Sequence, residues 1–127
     1  MGSRIKRLGA NIKRSEIRHY FGRIFGTATS LILKLPVYDT QCGAKLIRRD
    51  LAEIIFRDQF ISRWLFDVEL IARIIAELGH FKTLDCIYEL SLETWIDEGK
   101  SKVKTIDILH SPYELMLIRH QYRKALG

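Results

Sequence analysis

The chain has 127 residues, of which 47% are hydrophobic and 28% charged, and it carries a net charge of +6 at neutral pH. This length supports one domain with a modest core, and the composition excludes a disordered chain. The apolar runs are too short to span a bilayer, and two cysteines exclude a disulfide framework, so we expect a reduced, cytoplasmic protein.

The positive charge is concentrated near the N-terminus. Residues 1–23 contain seven lysines or arginines and one acid, an excess equal to that of the whole chain. Such a segment suits a phosphate-bearing partner, namely an anionic membrane surface, a phosphorylated ligand or a nucleic acid. A solvated terminus without a ligand is the alternative. We expect no nucleic acid, because the sequence lacks interleaved aromatic and basic residues and any recognised nucleic-acid motif.

The N-terminal part of the sequence predicts an arm followed by a long helix. Residues 1–14 mix charges with glycine and asparagine, which indicates a basic loop or arm. Apolar residues then recur at helical spacing, which predicts an amphipathic helix over 15–35, ended by Pro36. Gly22 and Gly26 are four residues apart and would let another element approach this helix closely.

The middle of the chain mixes strand and helix patterns. A short strand is predicted at Ala44–Ile47, and Asp50 can cap a short helix. A second helix is predicted over Asp67–Leu78, ended by Gly79. Over Leu84–Leu92 apolar residues alternate with mostly polar ones, which predicts the clearest strand of the chain.

The C-terminal part predicts a last helix from Pro112 to about Ala125, with Ser111 as its cap. The fold class is therefore α+β, with about four helices and two or three strands. Because two confident strands do not form a stable sheet alone, the chain is expected to belong to something larger or to complete its sheet by association.

Asp67 lies on the apolar stripe of the helix that it begins. As the N-cap it would accept a backbone hydrogen bond, while Phe66 and Ile71 would form a hydrophobic staple. Alternatively, the helix end aims Asp67 and Glu69 into a cleft, where a carboxylate acts as a base. The two interpretations are compatible, because a helix terminus holds a side chain rigidly.

Asp39, Gln41, Cys42 and Lys45 are close together in a predicted loop, and the simplest interpretation is a turn. Cys42 has no histidine or second cysteine beside it and is interpreted as structural. The four histidines lack metal-binding spacing, so no metal ligand is predicted in this chain.

Four stretches occur together in a familiar order: "GSR" at 2–4, "VYDTQCGAKLIRRD" at 37–50, "RWLFDVELI" at 63–71 and "EGKSKV" at 98–103. With them the chain resembles, from Gly2 to about Arg123, the C-terminal half of family 2 glycosyltransferases of the GT-A fold. It is most similar to the dolichyl-phosphate (polyprenyl-phosphate) glucosyltransferases.

This resemblance implies transfer of a sugar, glucose from UDP-glucose, to a polyprenyl or dolichyl phosphate, with inversion, by a peripheral protein at the cytoplasmic face of the membrane. It also implies an N-terminal nucleotide-binding half with Mg²⁺ or Mn²⁺, which is not in this sequence, so the chain is expected to be inactive alone. The alternative is a non-catalytic lipid- or partner-binding module derived from such an enzyme.

The resemblance also assigns residues. It implies that the acceptor phosphate is bound by Arg4, Arg18 and Lys102. It implies an active-site loop that contains Asp39, Gln41, Lys45 and Ser101. The acidic motif beside the acceptor is Asp67 and Glu69, and because a phosphate is already ionised at neutral pH, Asp67 is expected to position groups rather than take a proton.

The assembly is predicted from the same resemblance. Without the N-terminal half, the helix over 15–35 and the strand over Leu84–Leu92 would lack their partners, so we expect a homo-oligomer, most simply a two-fold dimer. Residues 1–14 are expected to be displaced or disordered, and the helices after Asp50 to keep the family arrangement.

Overall fold

The structure is a computed structural model that describes residues 1–13, 16–96 and 105–127, without the side chains of 16–18 and 105. The described residues form a mixed α and β fold. In chain order the elements are β1 (Gly2–Ser3), β2 (Asn11–Lys13), α1 (Glu16–Leu33), α2 (Arg49–Ile55), α3 (Phe66–Leu78), α4 (His80–Cys86), β3 (Leu90–Ser91), β4 (Thr94–Ile96), α5 (Thr105–Gln121) and α6 (Arg123–Leu126).

The four strands form two separate parallel pairs. β1 pairs with β3, with Gly2 opposite Leu90, and β2 pairs with β4, with Ile12 opposite Trp95. The prediction of a loop over 1–14, displaced or disordered, is therefore wrong for β1 and β2. Strands of two and three residues carry almost no periodicity, and their partners lie more than 80 residues away, so no local pattern could reveal them.

The two predicted strands are not where the sequence placed them. Residues 44–47 have no strand, although the Ala44 carbonyl accepts a hydrogen bond from the Gly2 N at 2.7 Å. In the predicted strand Leu84–Leu92 the chain continues α4 to Cys86, and only Leu90–Ser91 is extended in a pair. Leu84 and Tyr88 are exposed, so the alternation does not mark a buried sheet face.

Two helix starts also differ from the prediction. α2 begins at Arg49 with Arg48 as its N-cap, so Asp50 lies inside the first turn and does not cap the helix. α5 begins at Thr105, which places Pro112 inside the helix and not at its start. Ser111 Oγ donates to the Asp107 carbonyl at 2.7 Å, so this side chain bonds back within the helix, next to the proline that lacks an N–H.

The core lies around α3. Leu33 of α1, Ile118 of α5 and Leu126 of α6 are buried against the apolar side of α3, together with Ile71 and Ile75. Six helices are present in the described residues where four were predicted, because α4 was not recognised and the last predicted helix, to about Ala125, is divided into α5 and α6. Within the described ranges, the structure contains no helix with the length and apolarity needed to cross a bilayer.

Close contact between α1 and the chain that follows it occurs at Gly26. A Cβ at this position would lie 2.7 Å from the backbone oxygen of Tyr38. The prediction that a glycine of this helix allows a close approach is confirmed for Gly26. This contact holds the turn at 38–40 against α1, and the candidate site is built on that turn.

Candidate functional site

Arg4, which directly follows β1, forms a bidentate ion pair with Asp39. Asp39 Oδ2 accepts hydrogen bonds from the Arg4 backbone N at 3.0 Å and from Nε at 2.7 Å, and Oδ1 accepts one from Nη2 at 2.8 Å. The guanidinium carbon lies 5.4 Å from the centre of the Trp95 ring. This pairing of a planar guanidinium with a carboxylate fixes the orientation of Arg4.

The surroundings of Arg4 keep its guanidinium charged. Burial alone would lower the pKa of Arg4, but the hydrogen bonds and the charge of Asp39 outweigh burial, and the pKa is raised. Cys42 and Asp67 act in the same direction. Asp67, which belongs to α3, is therefore close enough to Arg4 for its charge to act on the guanidinium.

Lys45 and Asp67 form a second ion pair, 2.6 Å between Lys45 Nζ and Asp67 Oδ1, and both side chains are about nine-tenths buried. Lys45 also donates to the carbonyls of Thr40 at 2.8 Å and Cys42 at 2.6 Å. Three oxygen partners match the three donors of an ammonium group. Lys45 therefore joins the turn at 40–42 to the first turn of α3.

The position of Asp67 differs from the predicted one. The N-cap of α3 is Leu65, so the prediction that Asp67 is the N-cap is wrong, and the predicted Phe66–Ile71 staple is out of register with it. Asp67 is the second residue of the helix and lies in its first turn, where the helix dipole favours a negative charge. Its place on the apolar side is explained by Lys45, which compensates its charge inside the fold.

Three buried polar atoms beside these ion pairs have no hydrogen-bond partner in the described part of the chain: Ser3 Oγ, Thr40 Oγ1 and Gln41 Nε2. We define the Arg4–Asp67 cluster as Ser3, Arg4, Asp39, Thr40, Gln41, Lys45 and Asp67. An unsatisfied buried donor costs about 1–3 kcal/mol. An oxygen of a water or a ligand would remove this cost.

Glu89 holds the turn that carries Asp39. Its Oε1 accepts from the backbone N of Asp39 at 2.7 Å, and its Oε2 accepts from that of Tyr38 at 2.9 Å. Glu89 was not predicted as a site residue, because its contact crosses 50 residues of sequence and involves only backbone atoms of the turn. The one sequence feature that draws attention to Glu89 is its position among the alternating residues before β3.

Glu69 does not join Asp67 in the cluster. Two side chains that are two residues apart on a helix are separated by about 200° around the helix axis, so they lie on nearly opposite sides. Glu69 is fully buried, and its Oε2 accepts from the backbone N atoms of Ile61 and Ser62. Its Oε1 accepts from Arg73 Nη2 at 2.9 Å and from the Tyr122 hydroxyl at 3.1 Å.

Tyr122 stays a hydrogen-bond donor to Glu69. Burial and then the charge of Glu69 raise the pKa of Tyr122, and the bond from Arg73 only partly opposes this. The phenol is therefore protonated at neutral pH. Glu69, Arg73 and Tyr122 together form an internal network, and we take Glu69 out of the candidate site.

Comparison with known proteins points to one kind of enzyme. The chain is 31% identical over 127 residues to a dolichyl-phosphate beta-glucosyltransferase of Trichomonas vaginalis, covering 99% of this chain and 36% of that protein. It is 31% identical over 113 residues to the Saccharomyces cerevisiae dolichyl-phosphate beta-glucosyltransferase, covering 89% and 32%. The chain is thus similar in sequence to part of the dolichyl-phosphate beta-glucosyltransferases.

A second Trichomonas vaginalis dolichyl-phosphate beta-glucosyltransferase is 31% identical over 110 residues, covering 84% of this chain and 32% of that protein. The chain thus spans about a third of the length of the curated relatives that it matches. No family model and no solved structure matches it. The resemblance to these glucosyltransferases is confirmed, and the GT-A fold stays a prediction.

Three residues assigned from the glucosyltransferase resemblance lie outside the described part. They are Arg18, whose side chain is not described, and Ser101 and Lys102. In the described ranges no three His, Cys, Asp or Glu side chains are placed to hold a metal ion. The two carboxylates of the Arg4–Asp67 cluster each face a cation instead, so the described residues do not fit a Mg²⁺ or Mn²⁺ site.

Proposed function

We propose that this chain is the acceptor-side portion of a dolichyl-phosphate beta-glucosyltransferase and that the Arg4–Asp67 cluster binds the acceptor phosphate. The observation that carries the proposal is the set of buried, unpartnered donors at Ser3, Thr40 and Gln41, which adjoin the ion-paired residues Arg4 and Asp39 in the chain. Hydroxyl, amide and guanidinium N–H or O–H groups are all suited to phosphate oxygens.

Arg4 retains donors for a phosphate. Asp39 occupies its Nε and Nη2 side, and no described residue bonds to Nη1. The formal charges of four residues sum to zero: the cations Arg4 and Lys45 and the carboxylates Asp39 and Asp67. The phosphate would therefore be recognised by hydrogen bonds more than by an excess of positive charge. Because the unpartnered atoms are buried, the turn at 39–42 has to shift when the ligand enters.

The proposed reaction is a single displacement. A phosphate oxygen of the acceptor attacks the anomeric carbon of glucose, the bond from glucose to UDP breaks, and the configuration inverts. The acceptor oxygen is already ionised, so no proton has to be removed, and Asp67 acts as a positioning residue through Lys45. The UDP-glucose site, with Mg²⁺ or Mn²⁺, is expected outside the described residues, and no step is assigned here to a metal.

The location and the activity of the isolated chain remain part of the same proposal. We expect a peripheral protein at the cytoplasmic face of the membrane that binds acceptor without transferring sugar. A non-catalytic lipid-binding module would share the phosphate site, and it would differ by showing no transfer when a complete donor half is supplied.

The test is binding of the 127-residue chain to dolichyl phosphate in detergent micelles, compared with dolichol. Arg4→Lys keeps the charge but loses the planar fork, and a lost charged hydrogen bond of roughly 1.5–3 kcal/mol predicts about ten- to a hundredfold weaker binding. Arg57→Lys is the matched control, because Arg57 is exposed and forms no hydrogen bond or ion pair with the described residues of the cluster. Equal affinity for dolichol and dolichyl phosphate would refute the phosphate site.

Glu89 provides a second test of the same site. Glu89→Gln removes the charge that holds the Tyr38 and Asp39 backbone N–H groups, so the Asp39–Arg4 pair should loosen. We expect severalfold weaker binding of dolichyl phosphate with unchanged binding of dolichol, and no effect of Glu93→Gln, whose side chain is exposed. Unchanged phosphate affinity in Glu89→Gln would remove Glu89 from the site.

A further inference from the structure

Trp95 is a half-buried aromatic residue whose position the core does not explain. Within the described part of the chain, Trp64 packs against the core cluster around α3, and Trp95 is not among the residues that do. Trp95 is the middle residue of β4, opposite Ile12 of β2. Its ring contacts Arg4, whose guanidinium carbon lies 5.4 Å from the ring centre. An arginine within about 6 Å of an indole face gains a cation–π interaction.

The strand pairs fix the position of Trp95 relative to Arg4. The Ser3 carbonyl, directly before Arg4, accepts a hydrogen bond from the Leu92 N at 2.9 Å. The carbonyl of the next residue after Leu92 accepts one from the Asn11 N at 2.8 Å. The segment that leads into β4 is therefore bonded to the chain on both sides of Arg4, and the contact between the guanidinium and the indole follows from this pairing.

Asp39 and Trp95 constrain different parts of the Arg4 guanidinium. Asp39 accepts from Nε at 2.7 Å and from Nη2 at 2.8 Å, which occupies one edge of the plane, and the indole covers one face. A guanidinium has five N–H donors in one plane, so within the described residues Nη1 and the second Nη2 hydrogen stay available. The Arg4 side chain is only 15% exposed, and a cation–π contact is stronger when it is desolvated.

We propose that Trp95 is a positioning residue of the phosphate site: its indole holds the Arg4 guanidinium in the plane that aims Nη1 at an oxygen of the acceptor phosphate. This inference rests on the proposed function, because it assigns Arg4 to that phosphate. A guanidinium donates in its own plane, so rotation of the plane would move Nη1 away from the oxygen. The indole also keeps water from one face of the guanidinium, which strengthens the hydrogen bonds at its edge.

The test compares binding of dolichyl phosphate and dolichol to the 127-residue chain in detergent micelles. Trp95→Leu keeps apolar bulk but removes the π-face, so we expect about three- to tenfold weaker binding of dolichyl phosphate and unchanged binding of dolichol. Trp95→Phe keeps an aromatic face and should recover part of the loss. Trp64→Phe is the matched control, because Trp64 packs against the core, and it should leave both affinities unchanged.

Tryptophan fluorescence separates a contact with Arg4 from a general role in β4. The sequence has two tryptophans, so in Trp64→Phe the emission comes from Trp95 alone. Without ligand, adding Arg4→Lys should shift this emission, since an ammonium replaces the planar group on the ring, whereas adding Arg57→Lys should not. Dolichyl phosphate should also shift it, and dolichol should not. This measurement does not depend on the folding of Trp95→Leu.

Three results would overturn the role of Trp95. The first is a dolichyl-phosphate affinity in Trp95→Leu equal to that of a wild type that still prefers dolichyl phosphate to dolichol, which would leave the phosphate site standing without Trp95. The second is an equal loss of binding for both lipids. The third is an emission of Trp95 that Arg4→Lys leaves unchanged. Equal wild-type affinity for the two lipids would instead refute the proposed function, and the role of Trp95 with it.

Discussion

Asp67 and Glu69 are both buried carboxylates on α3, and their partners give them different roles. Lys45 ties Asp67 to the turn that holds Asp39, so Asp67 belongs to the candidate site. Glu69 faces Arg73, whose remaining N–H groups donate to the carbonyls of Ile55, Asp58 and Gln59. This second pair holds the connection between α2 and α3 in place.

Glu69→Ala is therefore expected to unfold the chain more easily and not to act on the acceptor specifically. It leaves Arg73 buried without its carboxylate, and breaking a buried pair from one side costs about 3–5 kcal/mol. The measurement is urea denaturation, with Glu77→Ala, an exposed acid of the same helix, as the control that should change stability little. Loss of dolichyl-phosphate binding in Glu69→Gln at full stability would return Glu69 to the site.

Part of the candidate site follows from the sequence. Arg4, Asp39, Lys45 and Asp67, which the family resemblance singled out, are brought together, although their roles stay predictions. The expectation that Glu69 points into the same cleft as Asp67 conflicts with helix geometry, because side chains two residues apart on a helix point in different directions. Glu89 could not be found, because nothing local indicates that a carboxylate will bind two backbone N–H groups 50 residues away.

At the scale of elements, helices α1, α2 and α3 were predicted close to their observed positions, whereas the short strands and α4 were not. α1 and α3 repeat their apolar spacing over several turns, and Gly79 ends α3 with a φ of 79°, as a C-terminal glycine does. The strands have two or three residues and exist only because distant segments pair. The start of α5 was predicted at Pro112, because proline is common at the first position of a helix. The structure places Pro112 inside α5, so the helix begins earlier despite this preference.

Gly26→Ala tests the contact that places the turn at 38–40. Alanine gains about 1 kcal/mol over glycine in a helix interior. Here its Cβ would lie 2.7 Å from the Tyr38 backbone oxygen, and forced overpacking costs about 1–3 kcal/mol. Because backbone has to move, we expect net destabilisation of up to about 2 kcal/mol in urea denaturation.

Gly43→Ala is the matched control for Gly26→Ala. A Cβ at Gly43 meets no atom within 4 Å, so its stability should change by less than about 0.5 kcal/mol. If Gly26→Ala stabilised the chain, the turn at 38–40 could move away from α1 at little cost. The contact at Gly26 would then not be what positions Asp39.

For the whole molecule, the open surface on the side of β1 and α3 is the main feature. A groove of about 970 Å³ lies between residues 44–51, α3 and the segment 85–92. In the described part, β1 pairs with one strand only, and on its other edge the Gly2 N donates to the Ala44 carbonyl of a segment that is not a strand. Burial of a large apolar side chain contributes roughly 1.5–3 kcal/mol, and a small domain is stable by only about 5–15 kcal/mol, so covering this groove would matter.

We predict that a second copy covers this groove in solution, as a two-fold dimer. The rim carries both signs of charge, with the Arg48–Asp50 pair near Glu77 and Asp85, and a two-fold contact can place opposite charges together. Light scattering at micromolar concentration should then give twice the chain mass.

Leu46→Lys and Tyr88→Lys should shift the dimer to monomer, because both residues line the groove and Leu46 is 97% exposed within one chain. Phe81→Lys should leave the mass unchanged, since Phe81 is 88% exposed but does not line the groove. Placing a lysine in a dimer interface adds two charges, one from each copy, and their desolvation opposes association. A wild-type chain that stays monomeric at micromolar concentration would show that this surface is stable when open, and that the apolar core around α3 is sufficient for the fold.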